Sequence, residues 1–396
     1  MVKKHIQNAN KLTIVGRGTV GCLSAAHFLK HSDWDIDWVY DPNVPAVSVG
    51  EGTTLLTPRS LHQNLGWYWS DMQELGFTPK TGIYKENWGS VGNFTHPFPL
   101  GSTGIHFNAV AFQDKAFNQI IKDKRVNLIE KNVSEYEDLD SNYVLVCTGS
   151  PKDTDDFVRH EEIPVNAAYV TQCFWPSARF TDTLTIARPY GWVFGIPLQN
   201  RCSIGYLYNK DINTLEEVQK DVLEVFSQLK LKPSDKTNHI YFNNYSRKQN
   251  YTSKVAYNGN ASFFLEPLEA TSLVTAEKAY RFAYDIWSGN MSVNHGNKLY
   301  TDMIKDVKAM ICLHYMAGSV FDTTFWKSAK TKADTYIQGL FDKQDYFAYN
   351  LLQCINCENV QDIEMGAWNL WSYKYNTDRL GITEKIKQVK SNAISD

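Results

Sequence analysis

Lys80 and Glu269 are the residues whose type and setting most invite a chemical reading in this chain of 396 residues. Lys80 stands in "TPKTGIYKENWG" (78–89), between Pro79 and Gly82 and just ahead of Tyr84 and Trp88. A solvent-exposed turn would account for that setting. An aromatic pocket would instead desolvate the amine, favour its neutral form and make it reactive. Glu269 stands in "FFLEPLEATSL" (263–273), where a short strand (262–265) meets Pro267 and an amphipathic helix begins near Thr271 or Ser272. The amides of Thr271 and Ser272 then lie free at a helix N-terminus, a natural anion site. Buried near a cation, Glu269 would serve as a general base. On these residues alone the simpler reading, that Glu269 and Thr271 cap the helix and favour its dipole, has the stronger claim.

A second constellation lies near the start. "GRGTVG" places Gly16, Gly18 and Gly21 in the G-x-G-x-x-G spacing, after the apolar strand in "KLTIV" and at the opening of a helix. The first glycine allows a tight turn, the second lets the backbone approach a pyrophosphate, and the third lets helix and strand pack closely. "DIDWVYDP" reads as the next strand, ending in Asp41, 20 residues past Gly21, where a carboxylate accepts hydrogen bonds from a ribose. The motif serves FAD and NAD alike.

The elements that must hold these groups follow from periodicity. "NYVLVCTGS", closed by Gly149, has the continuous apolar run of a buried parallel strand. Residues 87–110, rich in Gly, Pro, Phe and His, read as ordered loop. Residues 163–208 alternate like a meander of antiparallel strands. "TLEEVQKDVLEVFSQLK" (214–230) is a helix with a threonine start signal, and Leu273, Ala276, Tyr280, Ala283 and Trp287 mark one face of another. The pattern beyond about residue 300 is mostly helical, with no internal repeat and no low-complexity segment.

Composition narrows the class. Apolar residues make up 43% and charged residues 21%, as in globular proteins, and 40 basic residues balance 43 acidic ones. A net charge of -3 makes no electrostatic case for nucleic acid or an anionic membrane. No apolar run approaches a membrane span, and the polar start "MVKKHIQNAN" is unlike a signal peptide. Seven scattered cysteines fit reduced thiols in a cytoplasm, and the lone "CINC" (Cys354, Cys357) reads as core thiols, since zinc wants a second pair. No metal site is expected. The 11 Trp, 22 Tyr and 20 Phe provide bulky packing and also suit a site for planar ligands.

Three further stretches, "SVGEGTT" (48–54), "GWVFGIPL" (191–198) and "LHYMAGSVFDTTFW" (313–326), join those above. Together, in order from residue 14 to residue 326, they resemble the flavin-dependent halogenases of the tryptophan-halogenase kind. The resemblance implies an α/β (α+β) fold: a Rossmann-type FAD-binding domain of the flavin monooxygenase kind, an inserted β-sheet substrate region and a helical C-terminal part. It divides the chain into residues 1–300, carrying FAD and the interleaved substrate strands, and residues 301–396, completing the substrate pocket. FAD would lie on Gly16, Gly18, Thr19, Gly21, Asp41, Gly50, Glu51, Trp192, Ile196 and Pro197. Lys80 matches the family's essential lysine and Glu269 its assisting glutamate. Thr271 and Ser272 match its halide site, and Trp88, His96, Phe98 and Trp326 shape the aryl pocket. Two residues depart from the pattern. Phe194 replaces the second tryptophan of Trp-x-Trp-x-Ile-Pro, and Ser272 replaces a glycine, which a positive φ would disfavour.

The activity so implied uses reduced FAD, dioxygen and a halide (chloride, bromide or iodide) to make hypohalous acid. That acid is relayed through Lys80 to an electron-rich aromatic ring of indole or phenol type. With no second nucleotide motif for NADH, the reduced flavin would come from a separate NADH-dependent flavin reductase. Little sequence remains for a lid over an amino-acid backbone, which points away from free tryptophan. The expected protein is cytoplasmic and able to form homo-oligomers. Two other readings share the first motif: an FAD-dependent aromatic monooxygenase, which would not need Lys80, and a non-catalytic FAD-binding protein.

Overall fold

A computed structural model describes residues 10–44, 50–99, 101–151, 155–357 and 364–393. The polar start therefore lies outside the described residues, as do Ser48 and Val49 of "SVGEGTT". Lys11–Val15 is the middle strand of a five-stranded parallel sheet in the order Val255–Tyr257, Tyr143–Val146, Lys11–Val15, Asp35–Tyr40, Val126–Glu130. Leu12, Ile14, Val144 and Leu145 are fully buried there, as a strand covered on both faces requires. The chain leaves Val15 through the glycine turn into the helix Thr19–His31.

The alternating stretch forms the antiparallel run Ala167–Phe174, Arg201–Tyr208, Gly191–Pro197 and Thr183–Arg188 within a seven-stranded sheet. Gly82–Glu86 adds in parallel to Thr183–Arg188, and Phe94–Pro97 closes that edge. The helix Leu215–Gln228 covers this sheet with Val218, Val222, Val225 and Phe226, and its first turn is closed by the reciprocal Thr214–Glu217 capping box. Where the sequence reads as loop at 87–110, the structure has two strands, Phe94–Pro97 and Gly104–Asn108. They are short and set among Pro97, Pro99 and Gly101, so local pattern does not reveal them; Phe94–Pro97 pairs with the nearby Gly82–Glu86, and Gly104–Asn108 with Gly50–Gly52 and Thr78–Lys80.

Gly104–Asn108 is the middle strand of a small sheet, flanked by Gly50–Gly52 and Thr78–Lys80. The last part is helical, with Val293–Ala317, Thr324–Asp342, Tyr346–Asn356, Leu370–Leu380 and Thr383–Ala393. Residue 300 lies inside the first of these, and the buried Tyr300 hydroxyl donates to Ser262 O at 3.1 Å. One apolar core runs from Leu12 in the parallel sheet to Val389 in the last helix. Cys354 is in that core, as expected, but Cys357 is exposed, because the helix carrying Cys354 ends at Asn356. Among the described residues no cluster of His, Cys, Asp or Glu could hold a metal ion, and no helix is long and apolar enough to cross a membrane.

Candidate active site

The lysine that opened the sequence reading is not on an exposed turn. Lys80 ends the strand Thr78–Lys80, opposite Gly104, and its parity with the buried Thr78 turns it inward, to 0% exposure. Its ammonium nitrogen has no hydrogen-bond partner and lies 5.5 Å from the centre of the Phe98 ring. Across the intervening strand Gly104–Asn108, a Cβ built at Gly52 would meet that nitrogen at 3.6 Å, an ordinary contact distance. Burial pushes the amine down to about 7, with Lys85 adding to the effect and Glu269 and Asp182 opposing it. Beside it the buried His106, hydrogen-bonded to Thr183 Oγ1 at 2.8 Å, is held well below its ordinary value by burial and by the Lys80 charge.

Glu269 is not a simple cap. It sits in the short turn Leu268–Ala270 with φ 69°, followed by Ala270 at φ 53°, so its side chain is turned away from the helix it precedes. The carboxylate is buried and engaged on both oxygens. Oε1 takes the Lys85 ammonium and lies 3.1 Å from His314 Nε2, while Oε2 accepts from His96 Nδ1 at 3.1 Å. Burial alone would raise its pKa, but Lys85, His314 and His96 outweigh burial and hold it well below the usual carboxylate range. A carboxylate so stabilised is a fixed anion and a poor proton acceptor.

The two groups belong to one contiguous set. From Lys80 the path runs over Phe98 to Trp368 (ring centres 6.0 Å apart) and on to His96 (4.9 Å) and the Glu269 carboxylate. On the far side His314 meets Trp88 edge to face at 5.7 Å, and Trp88 meets Trp326 at 5.2 Å. His96 Nε2 lies 3.1 Å from Ser372 Oγ, on the helix Leu370–Leu380, so the C-terminal segment closes over the site. Trp88 and Trp326 donate their indole N–H groups to Thr185 O (3.2 Å) and Arg188 O (2.8 Å), which fixes them in the core. Thr271 is buried at the start of the helix Ser272–Trp287, which no side chain caps, whereas Ser272 is exposed. The expected strain at Ser272 is absent. The positive φ falls on Glu269 and Ala270, and Ser272 is an ordinary first helical residue.

At the other end, the glycine turn fits a dinucleotide. A Cβ on Gly16 (φ +111°) would sit 2.5 Å from Cys147 O, and one on Gly21 2.2 Å from Gly16 O, so both positions exclude side chains. Trp38 Nε1 donates to Gly16 O at 2.9 Å and pins the turn. Gly18, by contrast, faces open space, and the first turn of Thr19–His31 carries no cap and no acid, which leaves its N–H groups to an anion such as a pyrophosphate. Thr19 Oγ1 donates to Glu51 at 3.0 Å, and burial lifts the Glu51 carboxyl to about 7. Gly50 pairs with Asn108 in the same small sheet as Lys80. Asp41 lies just beyond its strand and accepts from Asn43 N (2.9 Å) and Asn132 Nδ2 (2.8 Å). Trp192 points into the core, donating to Glu266 Oε2 at 3.2 Å, while its strand, ending in Ile196 and Pro197, lies against Gly50–Gly52. Phe194 lies across Gly205 of the next strand, where a Cβ would meet its ring at 2.2 Å.

Sequence reasoning missed Lys85, His314, His106, Ser372 and Glu266. Lys85 shares strand parity with Ile83, and that was the available signal. Glu266 sits three residues before Glu269, is lifted to about 8 by burial, and accepts from Tyr315 at 2.8 Å. The others depend on contacts far apart in sequence.

The family model for tryptophan halogenase matches residues 11–142 and 153–378. Over 157 residues the chain is 28% identical to tryptophan 6-halogenase SttH of Streptomyces toxytricini, a stretch covering 38% of this chain and 29% of that one. It is 26% identical over 153 residues to tryptophan 7-halogenase RebH of Lentzea aerocolonigenes, covering 37% and 28%. The chain thus spans less than a third of the length of the curated relatives it matches. Its fold is similar to the crystal structure of a tryptophan halogenase from Shewanella frigidimarina, with TM-score 0.78, 17% identity and coverage of 98% and 94%. It is also similar to BrvH, a flavin-dependent halogenase from Brevundimonas, with TM-score 0.77, 19% identity and coverage of 98% and 96%.

Proposed function

We propose, from the premise that this chain belongs to the tryptophan halogenase family, that it is a flavin-dependent halogenase acting on an electron-rich aromatic ring. The observation that carries the reading is Lys80: a wholly buried amine without a partner, poised near neutrality, against the Phe98 ring and within the field of a buried ionised carboxylate. A structural lysine would pair with a carboxylate, and one on a solvated turn would stay protonated.

Gly16, Gly18, Thr19 and Gly21, with Glu51 nearby, would hold FAD. Bound in its reduced form, FAD would supply the electrons with which dioxygen oxidises halide to hypohalous acid. Thr271, at the uncapped start of its helix, is the proposed halide contact. Lys80 would hold the electrophilic halogen, and Phe98, His96 and Trp88 would place the ring. Glu269, ionised and fully engaged, orients and polarises rather than accepting the ring proton. Positioning one ring carbon against one nitrogen is worth roughly 7 kcal/mol or more. The reduced flavin would come from a separate NADH-dependent reductase. In this reading residues 1–300 hold FAD and the interleaved substrate strands, and the helical residues 301–396 complete the substrate pocket.

The test is a mass-spectrometric screen of the protein with FAD, NADH, a flavin reductase, chloride, bromide or iodide, and a panel of indoles and phenols. Catalase removes background peroxide chemistry. Halogen mass shifts that vanish with Lys80→Ala support the reading. Hydroxylated products in their place would move it to a monooxygenase, and tight FAD binding without product to a silent flavoprotein. Steady turnover without added reductase would overturn the two-component arrangement.

A further inference from the structure

The strand Gly82–Glu86 carries a second lysine into the same buried region, and no role above uses it. Lys85 is 0% exposed, flanked by Phe94 on one side and Thr185 on the other, with its ammonium on Glu269 Oε1. Two buried lysines therefore lie in the field of one carboxylate, and only Lys85 is paired to it. Glu269 Oε2 takes His96 Nδ1 at 3.1 Å, and His314 Nε2 lies 3.1 Å from Oε1 without a hydrogen bond. Lys80 is left with no hydrogen-bond partner, although it feels the charges of Glu269, Lys85 and Asp182, touches the Phe98 ring and lies beside His106.

We propose that Lys85 is a positioning residue: by engaging the Glu269 carboxylate it leaves the Lys80 amine unpaired and free to act on an electrophilic halogen. An amine ion-paired to Glu269 would be kept as ammonium, with no lone pair to offer. The free amine can attack hypohalous acid. The nitrogen lone pair forms the N–halogen bond, the halogen–oxygen bond breaks, and the departing hydroxide leaves as water with the amine proton. Burial without a partner is what makes the neutral amine accessible, and the Lys85 charge reinforces it.

The inference rests on the reading of Lys80 above, but its test does not. The titration of Lys80 can be followed on the full chain with FAD added and without halide or reductase. Trace acetylation with isotopic acetic anhydride across pH, followed by peptide mass spectrometry, gives a labelling midpoint for each lysine. In the wild type the Lys80 midpoint is expected near 7. In Lys85→Met, Glu269 turns to Lys80 and the midpoint rises by a unit or more, so that labelling at pH 7 falls about fivefold or more. Lys85→Arg, which keeps the charge on Glu269, retains the wild-type midpoint. If Lys85→Met does not fold, Lys85→Gln, which keeps a hydrogen bond without the charge, is expected to move the midpoint in the same direction. An unmoved midpoint in the neutral variant, or an equal rise in Lys85→Arg, overturns the proposal. Run in parallel, the halogenation screen separates the two claims. No product with a shifted midpoint defeats the halogenase reading and leaves the pairing standing, whereas product with an unmoved midpoint does the reverse.

Discussion

Glu269→Gln removes the negative charge on which Lys85, His96 and His314 converge, while keeping the volume. The Lys85 ammonium, fully buried, is then left without a counterion, and breaking one partner of a buried pair costs about 3–5 kcal/mol. For a chain of 396 residues the unfolding entropy is roughly 0.8 kcal/mol/K, so Tm should fall by about 4–6 °C. The double variant Lys85→Met/Glu269→Gln replaces the pair by an apolar side chain and an amide. It should recover most of that loss, since both charges leave together. The assay is thermal unfolding by circular dichroism at neutral pH on the four proteins of the cycle. Acid adds a second check. The folded pKa of Glu269 is depressed below 4.5, so its contribution is fully present above that value and lost only as pH falls through the lower folded one. The gap between wild type and Glu269→Gln should therefore persist from neutral pH to about 4.5 and narrow below it. A Tm loss under about 1 °C for Glu269→Gln, or a double variant losing the sum of the singles, would refute the reasoning.

Lys80→Ala should abolish halogenation while leaving FAD affinity within about twofold, because Lys80 pairs with no other side chain; equilibrium flavin titration and product mass spectra check this. Gly16→Ala should weaken FAD binding and cost about 1–3 kcal/mol, since its Cβ would meet Cys147 O at 2.5 Å and its φ is +111°, measured by flavin fluorescence and melting. Burial pushes His27 to about 3 and His160 to about 4, and lowers His96 and His106 too. The unfolded chain binds protons on all four near 6.5, so their contribution is full above that pH and lost as pH falls below it. The buried carboxyls Glu51 and Glu266, lifted to about 7 and about 8, oppose this over the same window, so the check is the rings themselves: an NMR titration should find His27 and His160 still neutral at about pH 5.5, and charged rings there would contradict the burial argument.

Much of this protein is written in short-range pattern. "KLTIVGRGTVG" declares strand, turn and helix because its apolar run and glycine spacing act within a dozen residues, and Gly16 and Gly21 prove to be positions where no side chain fits. The meander of 167–208 and the helices Leu215–Gln228 and Ser272–Trp287 follow from periods of two and of 3.6. Lys80 and Glu269 stand out for the same reason, as polar residues set among turn formers and aromatics. What local pattern does not carry is which cation meets which anion. Both Lys80 and Lys85 lie in "PKTGIYKENW", five residues apart, and sequence marks Lys80 while strand parity with Ile83 is the one hint of Lys85. The pairing was decided by strand Gly82–Glu86 adding beside Thr183–Arg188, by a turn that puts Glu269 at φ 69°, and by a helix that brings His314 from 45 residues beyond Glu269. Electrostatics inside a protein depends on distance and on the removal of water, and both are set by segments remote in sequence. The sequence alone therefore marked Lys80, Glu269 and the glycine turn. The tertiary structure alone decided which of two lysines is tied down and which is left free.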